Sequence, residues 1–465
     1  MKVEADHQLP LRPIGPADRR PVQSWASWMD RPLSGWWCAA GWLGATAVFV
    51  GLVRLLQGPT QVDSILSVFS TWAIAHGQWA CAYPPNKGGN FPFIAPLYPL
   101  LSGAIAALTH VGGNVPFPSQ SAMGAHCARA VGVMSQWSLR SGAGETTVQA
   151  GYLSWLFVMA GVVALLRAAG RGRRLWEPMA LVLVACAPAV WMPFEQYFHP
   201  QDVMAMGLVL GGLACILRGR WGWAGVLLGL ALTSQQFAWL SLAPLLVVAP
   251  AHRRFRLAVG VVVAIAVVVV PFIVVTSGRA IGPALLGSGN SPSASGGTLL
   301  WELHLHGARF IAFSRLLPIL LSIVLAWWAV RRLGEGVLTP VPLLSLMATA
   351  LTLRLVFEVS LWGYYFLAVT LLLIVLNVVC GRVRLCLLAW LALIPIAFNP
   401  VSWGSDVFAQ EVPRWLWQVI LVSGALAMAI DPLLAAVRHH SRPERPPFEA
   451  DWVSAALEPS GTIPG

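Results

Sequence analysis

Charge is what this chain has little of: 11% of its 465 residues are Asp, Glu, Lys or Arg, against 57% that are hydrophobic. A soluble protein of this length needs a more charged skin, and the polar stretches here are too short to hold an independent catalytic domain. Cysteine is scarce too. The seven cysteines stand singly, mostly inside apolar runs, with no Cys-x-x-Cys pair. They read as small buried hydrophobes, and Cys81, in a polar loop, stands apart from the rest. The apolar runs do not alternate with polar residues, which argues against a β-barrel. The formal net charge is +11, yet no zinc-finger spacing, recognition helix or basic stripe is present, so no nucleic-acid partner is expected. The first 35 residues are polar and contain prolines. They do not read as a cleavable signal peptide, and Trp36 onward reads as a retained first span. No convincing short-period repeat occurs.

What the chain has in quantity is long apolar segments. They recur from Trp36 to Ile430, and the mean hydropathy is +0.69. The expected fold class is an all-α polytopic membrane protein, a helical bundle of about fourteen transmembrane or short broken helices. Short basic clusters separate the runs, such as "RGRR" at 171–174 and "HRRFR" at 252–256. Cytoplasmic loops are enriched in Lys and Arg, which places a tail at 1–35 and a tail at 434–465 in the cytoplasm. The membrane domain then covers 36–433, with outer loops near 57–92, 277–309 and 399–412. Keeping "RAAGRGRR" (167–174) inside calls for a span at 122–138, although that stretch is weakly hydrophobic. The stretch 221–250 reads as two short helices going out and back, broken or buried against neighbours. "GSGNSPSASGG" at 287–297 is a flexible loop element.

Under this threading the polar side chains share a side. Asp63, Glu195, His199, Asp202, Gln235, Gln236, Glu302, His304, His306, Arg309, Arg354 and Glu358 all fall at or just inside the outer boundary. Ionisable groups at that depth are costly unless paired, hydrated or functional. Few are seen near the midplane, where an alternating-access path would leave them. Asp63 follows the first span in "LLQGPTQVDSILSVF" and is placed either to take a proton from a hydroxyl or to cap the helix that follows. "FEQYFHPQDV" (194–203) turns into a helix at Pro200, and Asp202 in its first turn gains from the helix dipole. "RLVFEVSLWGYYF" (354–366) opens with Arg354 and Glu358 at i,i+4. That pair reads as an interfacial salt bridge beside the aromatic belt of Trp362, Tyr364 and Tyr365. It reads equally as a guanidinium fork for a lipid-linked phosphate, oriented by Glu358, with the tyrosines against sugar or isoprenoid. His199 and Arg309 are weaker candidates for the same phosphate. In "WELHLHGARF" (301–310), Glu302, His304 and His306 have the donor types of a metal site, but nothing closes it, and no metal and no cofactor is expected. A polar lid or a hydrated loop remain open for this segment. Gln235 and Gln236 either hydrogen-bond sugar hydroxyls or satisfy a tight turn.

With Asp63, the 198–237 segment that runs from "FHPQDV" to "TSQQF", and "RLVFEVSLWGYY" in hand, the chain resembles bacterial polytopic glycosyltransferases of the GT-C superfamily. Within it the chain is most similar to the actinobacterial polyprenol-phosphate-mannose-dependent enzymes of glycosyltransferase family 87. The resemblance implies a plasma-membrane enzyme with an active site on the periplasmic or extracellular face. It implies an inverting transfer from a polyprenyl-phosphate-linked sugar, mannose or arabinofuranose being favoured, to a lipid or cell-envelope glycan acceptor. The family's catalytic aspartate maps to Asp63, and its polar element at the start of a middle helix to His199 and Asp202. Many relatives carry two adjacent acidic residues at the first position, whereas Val62 and Ser64 flank Asp63 here. That departure leaves Asp63 alone as base and weakens any metal-dependent variant. Glu195, Asp202, Gln235, Gln236, Glu302, His304, His306, Glu358, Tyr364 and Tyr365 would shape the site or bind the acceptor. A lipid or small-solute transporter or flippase is the rival reading.

Overall fold

The structure, a computed structural model, describes residues 28–56, 62–82, 96–109, 119–123, 127, 129, 142–195, 198–276, 298–305, 308–358, 361–398 and 412–441. For 62–66, 142–150, 195, 308–313 and a few helix ends it describes the backbone alone. Most of both tails, most of the expected loops at 277–309 and 399–412, residues 57–61 and 83–92 of the first expected loop, and His306 lie outside the described residues.

With no water inside a bilayer to take up backbone polar groups, apolar runs close their hydrogen bonds within themselves and become helices. In chain order these are α1 (Gly35–Leu56), α2 (Val62–Ala75), α3 (Leu97–Thr109), α4 (Gly142–Ala168), α5 (Trp176–Cys186), α6 (Pro188–Glu195) and α7 (Pro200–Leu217). They continue with α8 (Trp221–Ser234), α9 (Trp239–Val248), α10 (Ala251–Thr276) and α11 (Ala308–Leu333). The last four are α12 (Pro340–Val356), α13 (Leu367–Val379), α14 (Leu385–Phe398) and α15 (Arg414–His440). Among the described residues the extended pairing is one isolated bridge, Pro32 to Arg174.

The number of spans needs correction. Among the described residues six helices are long and apolar enough to cross a membrane: α1, α4, α7, α10, α11 and α15. The pair α5–α6, bent by 50° at its break, makes a seventh when taken as one broken span. The about fourteen spans expected from hydropathy included runs that form helices of only 10–17 residues. At 1.5 Å per residue these reach ~15–26 Å, short of a ~30 Å hydrocarbon core. The run expected to cross at 93–110 is the 13-residue α3. Of the expected 122–138 span, Cys127 is disulfide-bonded to Cys81, just beyond α2. Cys127 therefore lies beside the turn after α2 rather than at the opposite face, where a span beginning at 122 would start. The rest of that stretch, 124–126, 128 and 130–138, lies outside the described residues.

Side-chain pairs fix how the helices run. Trp155 Nε1 donates to Thr46 Oγ1 at 3.0 Å, Phe49 stacks on Trp155 at 4.6 Å, and Trp42 Nε1 donates to Glu177 Oε1 at 3.0 Å. Phe49 also meets Phe194 edge-on at 5.3 Å. Rising from 42 to 49, α1 thus passes from Glu177 to Phe194, parallel to α5–α6, while meeting α4 in the antiparallel sense. Where α4 crosses α7, Gly207 lies directly on the Phe157 backbone, and any Cβ there would collide with it. Small residues let membrane helices approach this closely. Gly225 of α8 meets the Leu257 carbonyl of α10 in the same way. The centre is held by α7, nearly all buried, and by α13, buried from end to end. At the periphery α10 turns Val262, Val267 and Val274 outward, 65–71% exposed and uncharged. An apolar stripe of that extent on a long helix is a lipid-facing surface.

One end of the bundle collects the arginines. Asp30 Oδ1 accepts from Arg171 at 2.7 Å, Arg174 at 3.0 Å and Trp176 at 3.0 Å. Glu177, fully buried, accepts from Arg167 Nε and Nη2, Trp42 Nε1 and the Arg173 backbone N–H. Arg171 also reaches the Val379 carbonyl, Arg218 the Ala164 carbonyl and Arg384 the Asp431 carboxylate. The turns after α4, α7 and α13 therefore share this basic end. Residues 195, 198–202, 234–237, 354–358 and 361–365 lie at the opposite end of the same helices.

Candidate functional site

The turn before α7 is the most constrained backbone at that opposite end. Phe198 holds φ at +51°, a left-handed conformation uncommon for a bulky residue. Its ring is wedged against Phe194 at 6.3 Å, and it fills the space where a side chain on Gly151 would stand. The His199 N–H donates to the Pro193 carbonyl at 2.7 Å, and the Asp202 N–H donates to the His199 carbonyl at 3.0 Å. Pro200 then opens α7 at the position where its missing N–H costs nothing. Thus α7 begins with three polar side chains buried together: His199 at 7%, Gln201 at 1% and Asp202 at 6% exposed.

Three other elements meet them. From the end of α8, Gln235 donates through Nε2 to Asp202 Oδ1 and accepts at Oε1 from the Gln236 backbone N–H, 3.1 Å away. From the turn before α13, the Tyr364 ring stacks on His199 at 4.7 Å and 18°. Tyr365 stands edge-on to Tyr364 at 4.8 Å. From the last turn of α12, Arg354 Nε donates to Glu358 Oε2 at 2.8 Å. The Arg354 guanidinium lies over Tyr365 at 5.0 Å and over Phe237 at 5.4 Å, cation–π distances that add to the ion pair. Asp202 interacts electrostatically with both His199 and Arg354. The result is a line of contacts, Gln201–His199–Tyr364–Tyr365–Arg354–Glu358, joined from the side by Gln235–Asp202. It presents a fork-shaped cation, an imidazole and a carboxylate between aromatic faces; the cation and the imidazole are groups that can meet an anionic oxygen.

Seven of the candidate residues are therefore brought together: His199, Asp202, Gln235, Arg354, Glu358, Tyr364 and Tyr365. Gln236 adjoins them through its backbone. The alternatives left open in the sequence now separate in part. The Asp202 carboxylate is engaged by Gln235 from another helix, and His199, the residue at the cap position, makes no side-chain capping bond. The Arg354–Glu358 salt bridge exists, but Tyr364 at 5% exposed is a core residue and not part of a membrane-surface belt. Asp63 is the second residue of α2, and Glu195 is the last of α6. The side chains of both, like that of Arg309 in α11, lie outside the described residues. Glu302 and His304 are exposed on a one-turn helix and the turn after it, and His306 is outside the described set. Among the described residues no group of three potential ligands is placed to hold a metal ion.

Two residues of the cluster escape a reading of the sequence, Gln201 and Phe237. Gln201 sits inside the quoted "FEQYFHPQDV" and is flanked by louder neighbours. Phe237 closes "TSQQF" and looks like an ordinary apolar residue. A third, Gln418 of α15, is distant in sequence. Buried at 1%, it donates to the Leu355 carbonyl at 2.7 Å and accepts from the Leu299 N–H at 2.8 Å. It thereby ties the 298–305 segment to the residue next to Arg354. Comparison with known proteins finds no family model, no curated protein and no solved structure that matches the chain.

Proposed function

We propose that this membrane protein is an inverting glycosyltransferase that moves a sugar from a polyprenyl phosphate to a lipid or envelope-glycan acceptor. The observation that carries the reading is the buried line from His199 to Arg354 at the end of the bundle opposite the basic turns. The resemblance in "FHPQDV" and "RLVFEVSLWGYY" supports the same choice. Two independent signals support the sidedness of this reading. Basic turns mark the cytoplasmic end, and the Cys81–Cys127 disulfide belongs to an oxidising compartment. Together they support a site on the outer face of the plasma membrane.

The chemistry assigns one task to each group. Arg354, oriented by Glu358, holds the phosphate of the donor with its fork, and the aromatic faces of Tyr364, Tyr365 and Phe237 line the sugar or isoprenoid. The acceptor hydroxyl attacks the anomeric carbon and the anomeric C–O bond to phosphate breaks. Polyprenyl phosphate leaves with the electron pair, and Asp63 takes the hydroxyl proton. One displacement inverts the configuration, without the covalent sugar intermediate of retaining enzymes. Mannose and arabinofuranose are the favoured sugars, and Asp202 is the rival base.

The test supplies purified protein in lipid nanodiscs with radiolabelled polyprenyl-phosphate mannose and, separately, arabinose, plus an extract of envelope lipids as acceptor. Labelled lipid or glycan product is expected. No product from either donor, together with movement of labelled lipid between the leaflets of proteoliposomes, would replace the enzyme by a flippase.

A further inference from the structure

The proposed reaction gives Arg354, Asp63 and the aromatics a part and leaves Gln201 without one. Gln201 is among the most deeply buried polar side chains of the cluster, 1% exposed. Its Nε2 lies 3.0 Å from His199 Nδ1, and its Oε1 is buried with no hydrogen-bond partner among the described residues. An amide NH2 only donates. The ring nitrogen facing it is therefore an acceptor without a proton, and a neutral imidazole whose Nδ1 is bare carries its proton on Nε2. The reversed amide would set Oε1 on Nδ1 and leave an NH2 buried with its donors unmet. A buried orphan donor is rarer in proteins than an under-satisfied carbonyl. Tyr364, stacked on the ring at 18°, fixes the plane in which Nε2 points.

We infer that Gln201 is a positioning residue that holds His199 as its Nε2–H tautomer, so that His199 meets an anionic substrate oxygen as a hydrogen-bond donor. A ring held this way does not serve as the base for the acceptor hydroxyl, because its one bare nitrogen is occupied by Gln201. The substrate half of this inference rests on the proposed transfer from a lipid phosphate. The tautomer half does not.

The experiment is nitrogen NMR of the full chain in nanodiscs with 15N-histidine, with H199N identifying the resonance. In the wild type the expected spectrum has a protonated Nε2 and an unprotonated Nδ1 at His199, favoured by about tenfold. Q201L and Q201N, the latter too short to reach the ring, should lower that preference several-fold, toward the modest Nε2–H excess of a free imidazole. Two variants of different polarity guard against one that fails to fold. A wild-type spectrum with the proton on Nδ1, or a tautomer unmoved in a folded Q201L or Q201N, overturns the inference. Transfer is measured on the same samples. Product formation with an unmoved tautomer removes Gln201 and keeps the enzyme. A tautomer that shifts as expected while no donor reacts keeps Gln201 and removes the enzyme.

Discussion

Each end of the bundle carries a buried carboxylate, and the two are treated differently. At the basic end Glu177 receives hydrogen bonds from both Arg167 nitrogens, from Trp42 and from the Arg173 backbone, so both its oxygens are engaged. Asp30 beside it is gripped by two arginines and a tryptophan. At the opposite end Asp202 takes a hydrogen bond from Gln235, and the amide oxygen of Gln201 is buried with none among the described residues. Buried polar groups in proteins are nearly always satisfied, and those that are not ask for an explanation. Trp221 Nε1 and Asn377 Oδ1 at the basic end are buried without partners among the described residues too, but Glu177 is fully engaged there and works as a staple that fixes helix order. The other end has capacity left over, which is what a site needs if a ligand is to complete it.

Breaking the staple should have the largest effect. E177A leaves the Arg167 charge without its partner and should cost ~3–5 kcal/mol, read as a lower unfolding temperature in nanodiscs, while turnover per folded molecule is unchanged. A comparable loss of turnover with full stability would erase the distinction between the two ends. D63N works the other way. Transfer should fall by roughly 100-fold or more with the melting curve kept. Near-normal D63N beside an inactive D202N would give the base role to α7. R354K keeps the charge and loses the fork, so donor affinity should weaken by about tenfold with little change in stability. Equal affinity in both proteins would confine Arg354 to its salt bridge. The smallest effect concerns acid. Burial raises the Asp30 carboxyl, and hydrogen bonds from Arg174 and Arg171 outweigh it, holding the group below its ordinary value of 3.8. The folded pKa is depressed, so the stabilisation is complete above pH 3.8 and disappears as pH falls through the lowered value. D30N should flatten that acid limb of the stability curve, and a limb unchanged in D30N would assign it to another group.

The sequence made some of this legible and hid the rest for physical reasons. Runs of apolar residues separated by arginines carry the direction of each helix. The pairs Arg218 with Ala164 and Arg384 with Asp431 duly collect at one end. Hydropathy does not carry length. A 13-residue helix such as α3 and a 26-residue one such as α10 both register as apolar, which is how the expected spans came to exceed six or seven. The Cys81–Cys127 bond joins residues 46 apart, and no local spacing announces it. Within the site, the residues with obvious chemistry, His199, Asp202 and Arg354, could be picked from the chain. Gln201 and Gln418 could not, because their importance lies in which neighbour each amide meets. The pairing of Gln235 with Asp202 depends likewise on two helices meeting.

The short helices have one more consequence. On a hydrocarbon slab of ~30 Å, α8 with 14 residues and α12 with 17 rise only ~21 and ~25 Å. A slab whose near face is level with the basic turns extends ~5–9 Å beyond the far ends of both. Gln235 and Arg354, at their tips, would then lie below the far surface rather than on it. The polyprenyl-phosphate donor of the proposed transfer would then keep its hydrocarbon tail in the bilayer while its headgroup is reached.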